Sequence, residues 1–173
     1  AEIIGSHYRV LAPSQRYFGV SPWPDEGRNY SVLTHATDLA ALVRALGLPP
    51  VTLIGWSYGG AVCLAMSCAN PDLVGRLFLY EPSLATFVTD PSAAQRASDD
   101  RLEMFHASKL AVGQGDLDEA VEQFIDDVNG RAGTFRALPD KVQQMMRENA
   151  RTLPLMFGAP SPPQISCADL GRL

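Results

Sequence analysis

One short stretch, VTLIGWSYGGA at residues 51 to 61, carries the residue types and spacing best suited to chemistry. An apolar, partly β-branched run ends at Gly55, and Ser57 stands between Gly55 and Gly59. This spacing predicts a serine at a sharp turn from a strand into a helix, and we expect Gly59 to permit close backbone approach there. A hydroxyl exposed at such a turn could act as a nucleophile, because a helix N-terminus favours negative charge on a developing oxyanion.

The glycine-x-serine-x-glycine spacing is weak evidence when it stands alone, since about one chain in twenty of this length would carry it by chance. Its context makes it specific, because an apolar strand leads into it and a long apolar helix follows it. The competing interpretation is a glycine-rich turn that happens to hold a serine. We favour the nucleophile, because the two flanking elements and the small residues at 59 to 61 occur together.

A nucleophilic serine requires a base, and the chain contains three histidines. His7 precedes a predicted strand, whereas sites in parallel sheets lie beyond the carboxyl ends of the strands. His35 lies early in a predicted helix beside its apolar stripe, which favours a packing or surface role. His106 lies in a predicted helical region that would support a general base poorly. We therefore predict that none of the three serves Ser57.

Three β-rich runs and two helices would position this serine. The runs cover residues 8 to 12, 51 to 55 and 76 to 80, and apolar periodicity predicts helices over residues 31 to 46 and 57 to 69. The middle run is almost wholly apolar, as expected of a strand covered on both faces. Alternation of strands and helices predicts right-handed crossovers in a parallel sheet, so the predicted fold class is α/β.

Beyond Pro82 the pattern becomes helical, from residue 90 to residue 157. Asp116 and Glu119 have the spacing of a capping box. One apolar stripe follows them, and a further helix is predicted over residues 139 to 157. The stripe consists of Leu117, Ala120, Val121, Phe124 and Val128. Near the end of the chain, Asp169 is predicted to cap or solvate the last turn.

The composition is that of a soluble globular chain of 173 residues, 46% hydrophobic and 19% charged. Its net charge of -5 argues against nucleic acid or an anionic membrane as a partner. No apolar run approaches the ~18 residues of a membrane span, and the N-terminus lacks the pattern of a signal peptide. Cys63, Cys68 and Cys167 lack the spacing of a disulfide framework or a zinc site, which favours free thiols in a reducing cytoplasm.

Two long segments resemble the α/β-hydrolase family. They are YRVLAPSQRYFGVSPWP at residues 8 to 24 and HATDLAALVRALGLPPVTLIGWSYGGAVCLAMSCANPDLVGRLFLYEP at residues 35 to 82. The resemblance implies that Ser57 is the nucleophile and that the backbone N–H of Tyr58 donates to the oxyanion. It also implies a helical cap and no metal or organic cofactor. Dehalogenases and epoxide hydrolases of this fold carry aspartate where Ser57 stands, so the resemblance argues against those two activities.

The resemblance bears on further residues. Glu81 occupies a position where some relatives keep the catalytic acid, although it could instead be a polar residue of the turn after the third strand. Met145 and Met146 would roof a pocket for an apolar group, or belong to the core of the cap. Trp56 replaces a frequent histidine beside the nucleophile, and Ser-Gln-Arg-Tyr at residues 14 to 17 replaces Asp-x-Arg-Gly. Both replacements could shape substrate choice.

The chain resembles the middle of such a hydrolase, with core residues 1 to 88, cap residues 89 to 158 and a segment returning to the core at residues 159 to 173. The catalytic histidine would then lie outside this chain, and the missing core segments would come from the same protein or from another chain. The implied function is a cytoplasmic serine hydrolase that cleaves an ester or related acyl bond of a small, partly apolar substrate through an acyl-enzyme. Alternatives are carbon–carbon bond hydrolysis, perhydrolysis, and an inactive module for binding or assembly. The 173 residues alone should be inactive.

Overall fold

The structure, a computed structural model, describes residues 2–84 and 87–173. Ala1, Ala85 and Thr86, which fall in the predicted core unit of residues 1 to 88, lie outside the described residues. The described elements are α1 (Glu2–Gly5), α2 (Val32–Leu46), β1 (Val51–Trp56), α3 (Ser57–Ala69), β2 (Val74–Tyr80), α4 (Pro91–Met104), α5 (His106–Gln114), α6 (Leu117–Val128), α7 (Asp140–Asn149), α8 (Leu153–Gly158) and α9 (Cys167–Leu170). No helix in this described part of the chain is long and apolar enough to cross a bilayer.

Helix α2 begins and ends where the sequence predicts. The Ser31 hydroxyl accepts a hydrogen bond from the backbone N–H of Thr34 at 3.0 Å, which satisfies one of the free donors of the first turn. Gly47 follows the last helical residue with a left-handed φ of 62°, a conformation that costs glycine little. The helix packs its buried residues, among them Val32, Ala36 and Val43, into the main hydrophobic core.

Strands β1 and β2 pair in parallel, in register from Thr52 opposite Arg76 to Trp56 opposite Tyr80. Helix α3 connects them, and Asn70 followed by Pro71 ends that helix. A parallel pair requires such a crossover, because its two strands run in the same direction. The predicted α/β class is therefore confirmed, and the third predicted run begins two residues earlier, at Val74.

Only one face of the two-stranded sheet is covered by the described residues. Leu53, Leu77 and Leu79 pack into the core formed with α2 and α3. On the other face four large apolar side chains are 59–69% exposed, namely Ile54, Trp56, Phe78 and Tyr80. The prediction that β1 is covered on both faces is therefore wrong for this structure. The apolar side chains on its second face, Ile54 and Trp56, are exposed among the described residues.

The strand predicted at residues 8 to 12 does not form. The backbone there has no regular secondary structure, and Tyr8, Val10 and Leu11 are exposed. A β-strand is stabilised by ladder hydrogen bonds to a neighbour, and the described sheet contains β1 and β2 alone. Residues 8 to 12 therefore remain unpaired among the described residues.

Helices α5 to α8 enclose a second hydrophobic cluster around Phe135, which we call the cap core. The helix predicted over residues 139 to 157 is broken into α7, a 3-10 turn and α8, because Pro154 has no N–H to continue the helical ladder.

Asp116 caps α6, but the side chain of Glu119 accepts from Gln123 and completes no capping box. In the predicted stripe of α6, Val128 is 50% exposed. The domain limits at residues 88 and 158 stay predictions.

The loop of residues 13 to 30 connects the two clusters. The backbone N–H of Gly19 donates to Asn149 Oδ1 at 2.6 Å. Arg151 donates to the carbonyl oxygens of Gly19 and Ser21, and its guanidinium lies 4.3 Å from the centroid of the Trp23 ring. The cap is thereby held to the loop that precedes α2.

The last residues of the chain return to the main core. Ile165 is buried in that core, together with α2 and α3. Ser166 and Asp169 form a reciprocal capping box at the start of α9, with Asp169 Oδ2 accepting from the Ser166 backbone N–H at 2.9 Å. Asp169 is thus a capping residue, as predicted.

Asp126 and Asp127 offer a matched test of the cap. Asp126 is buried and accepts from the backbone N–H groups of Phe135 at 2.8 Å and Gly133 at 2.6 Å, whereas the buried Oδ2 of Asp127 has no hydrogen-bond partner among the described residues. We expect Asp126→Ala to lower the free energy of unfolding by about 2 kcal/mol, because two backbone donors lose a charged acceptor. Asp127→Ala should be neutral or stabilising. Chemical denaturation of both variants measures the difference.

The same pair gives opposite dependences on pH. Hydrogen bonds from the backbone N–H of Phe135, and then of Gly133, lower the pKa of Asp126, so its contribution to stability is present above about pH 4 and is lost as the pH falls through the lowered value. Burial, and then the charge of Asp126, raise the pKa of Asp127, so ionised Asp127 costs stability at neutral pH. Equal losses in the two variants at pH 7 would contradict this description of the cap.

Candidate active site

Ser57 is the first residue of α3 and is exposed at the carboxyl end of β1. Its φ of 49° lies in the left-handed region, which costs a non-glycine residue about 1–3 kcal/mol. The residue before it, Trp56, makes no side-chain hydrogen bond to the first turn of the helix. Among the described residues no side chain caps the N–H groups of that turn, so they can meet a negatively charged oxygen.

Gly55 and Gly60 allow the chain to turn this sharply. A Cβ on Gly55 would lie 2.8 Å from both the carbonyl oxygen of Gly59 and the Cα of Gly60, and a Cβ on Gly60 would lie 3.0 Å from Pro82. Gly59, where we expected the close approach, has free space: among the described residues a Cβ there would meet only Gln15 Nε2, at 3.9 Å. That expectation is wrong, since the tight contacts are those of Gly55 with the backbone of Gly59 and Gly60, and of Gly60 with Pro82. We call residues 55 to 60 the elbow.

A second strained turn lies beside the elbow. Glu81 has a φ of 43° and follows β2 as Ser57 follows β1, so the register of the two strands makes them neighbours. The backbone N–H of Ser83 donates to the carbonyl oxygen of Ser57 at 3.0 Å. These contacts brace the strained serine against the turn after β2. Glu81 itself is exposed, and its role as the catalytic acid stays a prediction.

Tyr58 is placed with its backbone in the first turn of α3 and its side chain turned back into the protein. Its hydroxyl lies 2.6 Å from His35 Nδ1, and its ring stacks on Tyr30 with centroids 5.6 Å apart. Burial, with Tyr30 nearby, raises the pKa of Tyr58, so the phenol keeps its proton at neutral pH. The backbone N–H remains available for the oxyanion role that the resemblance implies.

None of the three histidines is hydrogen-bonded to Ser57 among the described residues. His35 is 2% exposed, and both of its ring nitrogens already have partners. His7 and His106 are exposed, one just after α1 and the other at the start of α5. The positional argument for His7 changes, because residues 8 to 12 form no strand. That none of the three histidines serves Ser57 stays a prediction.

The three proposed pocket residues lie in different surroundings. Trp56 is 66% exposed on the open face of the sheet, with its ring 6.3 Å from that of Tyr80. Met146 packs against the cap core, whereas Met145 is 53% exposed. Met146 therefore has the contacts of a structural residue, and the pocket roles of Trp56 and Met145 stay predictions.

The segment at residues 14 to 17 ends in a left-handed residue and is held by side-chain hydrogen bonds. Tyr17, which replaces the glycine of the Asp-x-Arg-Gly motif in the resemblance, has a φ of 72°. Its hydroxyl donates to Asp25, and this hydrogen bond above all lowers the pKa of Asp25 to about 2. Arg16 pairs with Asp38 on α2 through two hydrogen bonds of 2.6 and 2.8 Å. The loop is thus tied to α2 directly beside the elbow.

Sequence reasoning missed the aromatic layer behind the serine. Tyr17, Tyr30, His35 and Tyr58 have ring centroids 5.0–5.9 Å apart in consecutive edge-on, tilted and stacked pairs. The only signal was the unusual number of aromatic residues between positions 17 and 30. Which of them meet could not be read from spacing, because the partners lie on three separate segments.

A family model described as the alpha/beta hydrolase fold matches residues 2–150. The lipase LipV of Mycobacterium tuberculosis is 32% identical over 144 residues, which is 77% of this chain and 54% of the lipase. A 2-hydroxymuconate semialdehyde hydrolase of Pseudomonas putida is 26% identical over 175 residues, which is 85% of this chain and 62% of that enzyme.

A soluble epoxide hydrolase of a Corynebacterium species is 37% identical over 78 residues, which is 45% of this chain and 27% of that protein. The chain thus spans little more than half the length of the lipase and the semialdehyde hydrolase. The family match covers most of the chain and includes both strands, the elbow and most of the cap helices. The protein belongs to the α/β-hydrolase family.

Proposed function

We propose that the protein is a serine hydrolase that cleaves an ester or related acyl bond of a small, partly apolar substrate. The observation that carries this proposal is the left-handed backbone of exposed Ser57 at the junction of β1 and α3. Strain of this kind persists where surrounding contacts hold it, and it is concentrated at functional sites. Here the backbone contacts of Gly55 and Gly60 and the hydrogen bond from Ser83 hold it.

In the proposed mechanism, the Ser57 hydroxyl attacks the carbonyl carbon of the substrate and loses its proton to a histidine outside these 173 residues. The backbone N–H of Tyr58 donates to the oxyanion that forms. Collapse of this intermediate expels the alcohol and leaves an acyl group on Ser57. Water then attacks the acyl-enzyme and releases the acid. Met145 and Trp56 would contact the apolar part of the substrate.

We further propose that the open face of the sheet is covered by additional segments of the same protein. Ile54, Trp56, Phe78 and Tyr80 form a contiguous apolar surface on two adjacent strands, and both outer edges of the described sheet are unpaired. Surfaces of this kind usually mark contacts with other protein segments. The greater length of the relatives supports a source in the same polypeptide, with a second chain as the alternative.

The free thiols of Cys63, Cys68 and Cys167 support a cytoplasmic location.

Carbon–carbon bond hydrolysis is the second candidate reaction, because one relative is named for a semialdehyde and not for an ester. The experiment measures hydrolysis of p-nitrophenyl esters, perhydrolysis with acetate and peroxide, and hydrolysis of 2-hydroxymuconate semialdehyde by the full-length protein, each with Ser57→Ala as control. Ester cleavage that depends on Ser57 supports the proposal. Activity on the semialdehyde alone would favour carbon–carbon hydrolysis. A folded protein without activity in any assay would indicate a binding or assembly module.

A further inference from the structure

His35 joins two segments at the back of the elbow. Its Nε2 lies 3.1 Å from the carbonyl oxygen of Arg16, and its Nδ1 lies 2.6 Å from the hydroxyl of Tyr58. A carbonyl oxygen can only accept, so Nε2 carries the proton. In the neutral ring Nδ1 is then an acceptor, and the Tyr58 hydroxyl donates to it. Burial lowers the pKa of His35 and so favours this neutral form.

Both partners of His35 are themselves held in place. The guanidinium of Arg16 is bound to Asp38, which lies one turn after His35 on α2. The ring of Tyr58 stacks on the buried ring of Tyr30, with 29° between their planes. Helix α2, the loop before it and the first turn of α3 therefore meet at His35. One of the residues in contact there, Tyr58, directly follows Ser57 in the chain.

We propose that His35 is a positioning residue for Ser57, acting through the hydroxyl of Tyr58. The inference rests on the proposed function, since it concerns the geometry of the proposed nucleophile and oxyanion donor. The peptide between Ser57 and Tyr58 supplies the donor N–H, and its orientation depends on the left-handed φ of Ser57. Holding the side chain of Tyr58 at its far end restricts rotation of that peptide. A buried histidine that is not the base thus contributes to the reaction by preorganisation.

The test uses the full-length protein and four variants: Tyr58→Phe, His35→Leu, His35→Asn and Tyr17→Phe. For Tyr58→Phe and His35→Leu we expect kcat for p-nitrophenyl acetate to fall about tenfold with KM little changed, because the reacting groups are misaligned while substrate contacts remain. His35→Asn should recover most of kcat, because its amide oxygen can accept from Tyr58 in place of Nδ1. Tyr17→Phe is the matched control: it removes a hydroxyl bound to Asp25 in the same aromatic layer, and should affect thermal stability but not kcat.

The outcomes separate this inference from the proposed function. If Tyr58→Phe and His35→Leu lower only the melting temperature, as Tyr17→Phe does, His35 is a structural residue and the inference is overturned. If His35→Leu fails to fold, the kcat of Tyr58→Phe decides. Wild-type activity that is lost in Ser57→Ala supports the proposed function in either case. Wild-type protein without Ser57-dependent activity would overturn both.

Discussion

Gly55→Ala should abolish activity and lower the free energy of unfolding by about 3 kcal/mol, the upper end of the usual cost of overpacking. The added Cβ would lie 2.8 Å from the carbonyl oxygen of Gly59 and from the Cα of Gly60, and neither backbone atom can move without shifting the elbow. Relief of the clash would displace Ser57 and the first turn of α3 together. Thermal unfolding and ester hydrolysis by the full-length variant measure the two effects.

Gly59→Ala is the matched control for this prediction. It adds the same methyl group four residues along the chain, where the nearest neighbour in the described part of the chain is Gln15 Nε2, at 3.9 Å. The helical backbone tolerates alanine at least as well as glycine, so this variant should fold and remain active. If Gly59→Ala were inactive while Gly55→Ala retained activity, the geometry assigned to the elbow would be wrong.

The 173-residue chain by itself should hydrolyse p-nitrophenyl acetate no faster than its Ser57→Ala variant. A serine hydroxyl is a weak nucleophile without a base, and loss of the base in a serine enzyme can cost a factor of about 10⁶ in kcat. His7 and His106 are exposed and make no hydrogen bond to Ser57 among the described residues, and both nitrogens of His35 are occupied. Steady-state assays of the two purified chains make the comparison.

The complementary measurement uses the full-length protein with His7→Gln, His35→Asn and His106→Gln combined. Most of the activity should remain, because the proposed base lies outside these residues and asparagine preserves the acceptor for Tyr58. A loss of 10⁴-fold or more in a folded triple variant would place the base within this chain. Turnover by the 173-residue chain that disappears on His106→Gln would identify the cap histidine as that base.

Local signals predicted the elements around the serine correctly. Helix α2 has a serine cap, a 3.6-residue apolar period and a terminal glycine, and all three are properties of contiguous sequence. Strand β1, the turn at Ser57 and helix α3 were likewise predicted from contiguous sequence. Pro154 was a local signal too, and giving it more weight would have predicted the break between α7 and α8.

Contacts between segments distant in sequence could not be predicted from the sequence. Residues 8 to 12 have the composition of a strand, but pairing depends on a neighbour that composition does not reveal. The bond between His35 and Tyr58 spans 23 positions, and it depends on how α2 crosses the start of α3. Gly55 and Gly59 are the two glycines of the Gly-x-Ser-x-Gly motif, and the sequence does not distinguish them. The folded backbone shows that Gly55 is the one with close neighbours.

The central claim is that Ser57 is an activated nucleophile, and covalent labelling tests it most directly. The full-length protein is treated with a fluorophosphonate, digested, and the modified residue is located by mass spectrometry. The strained, exposed position of Ser57 at the N-terminus of α3 predicts a single adduct on its Oγ and no adduct in Ser57→Ala. An adduct that persists in Ser57→Ala, or that maps to another residue in the wild-type protein, would contradict the assignment.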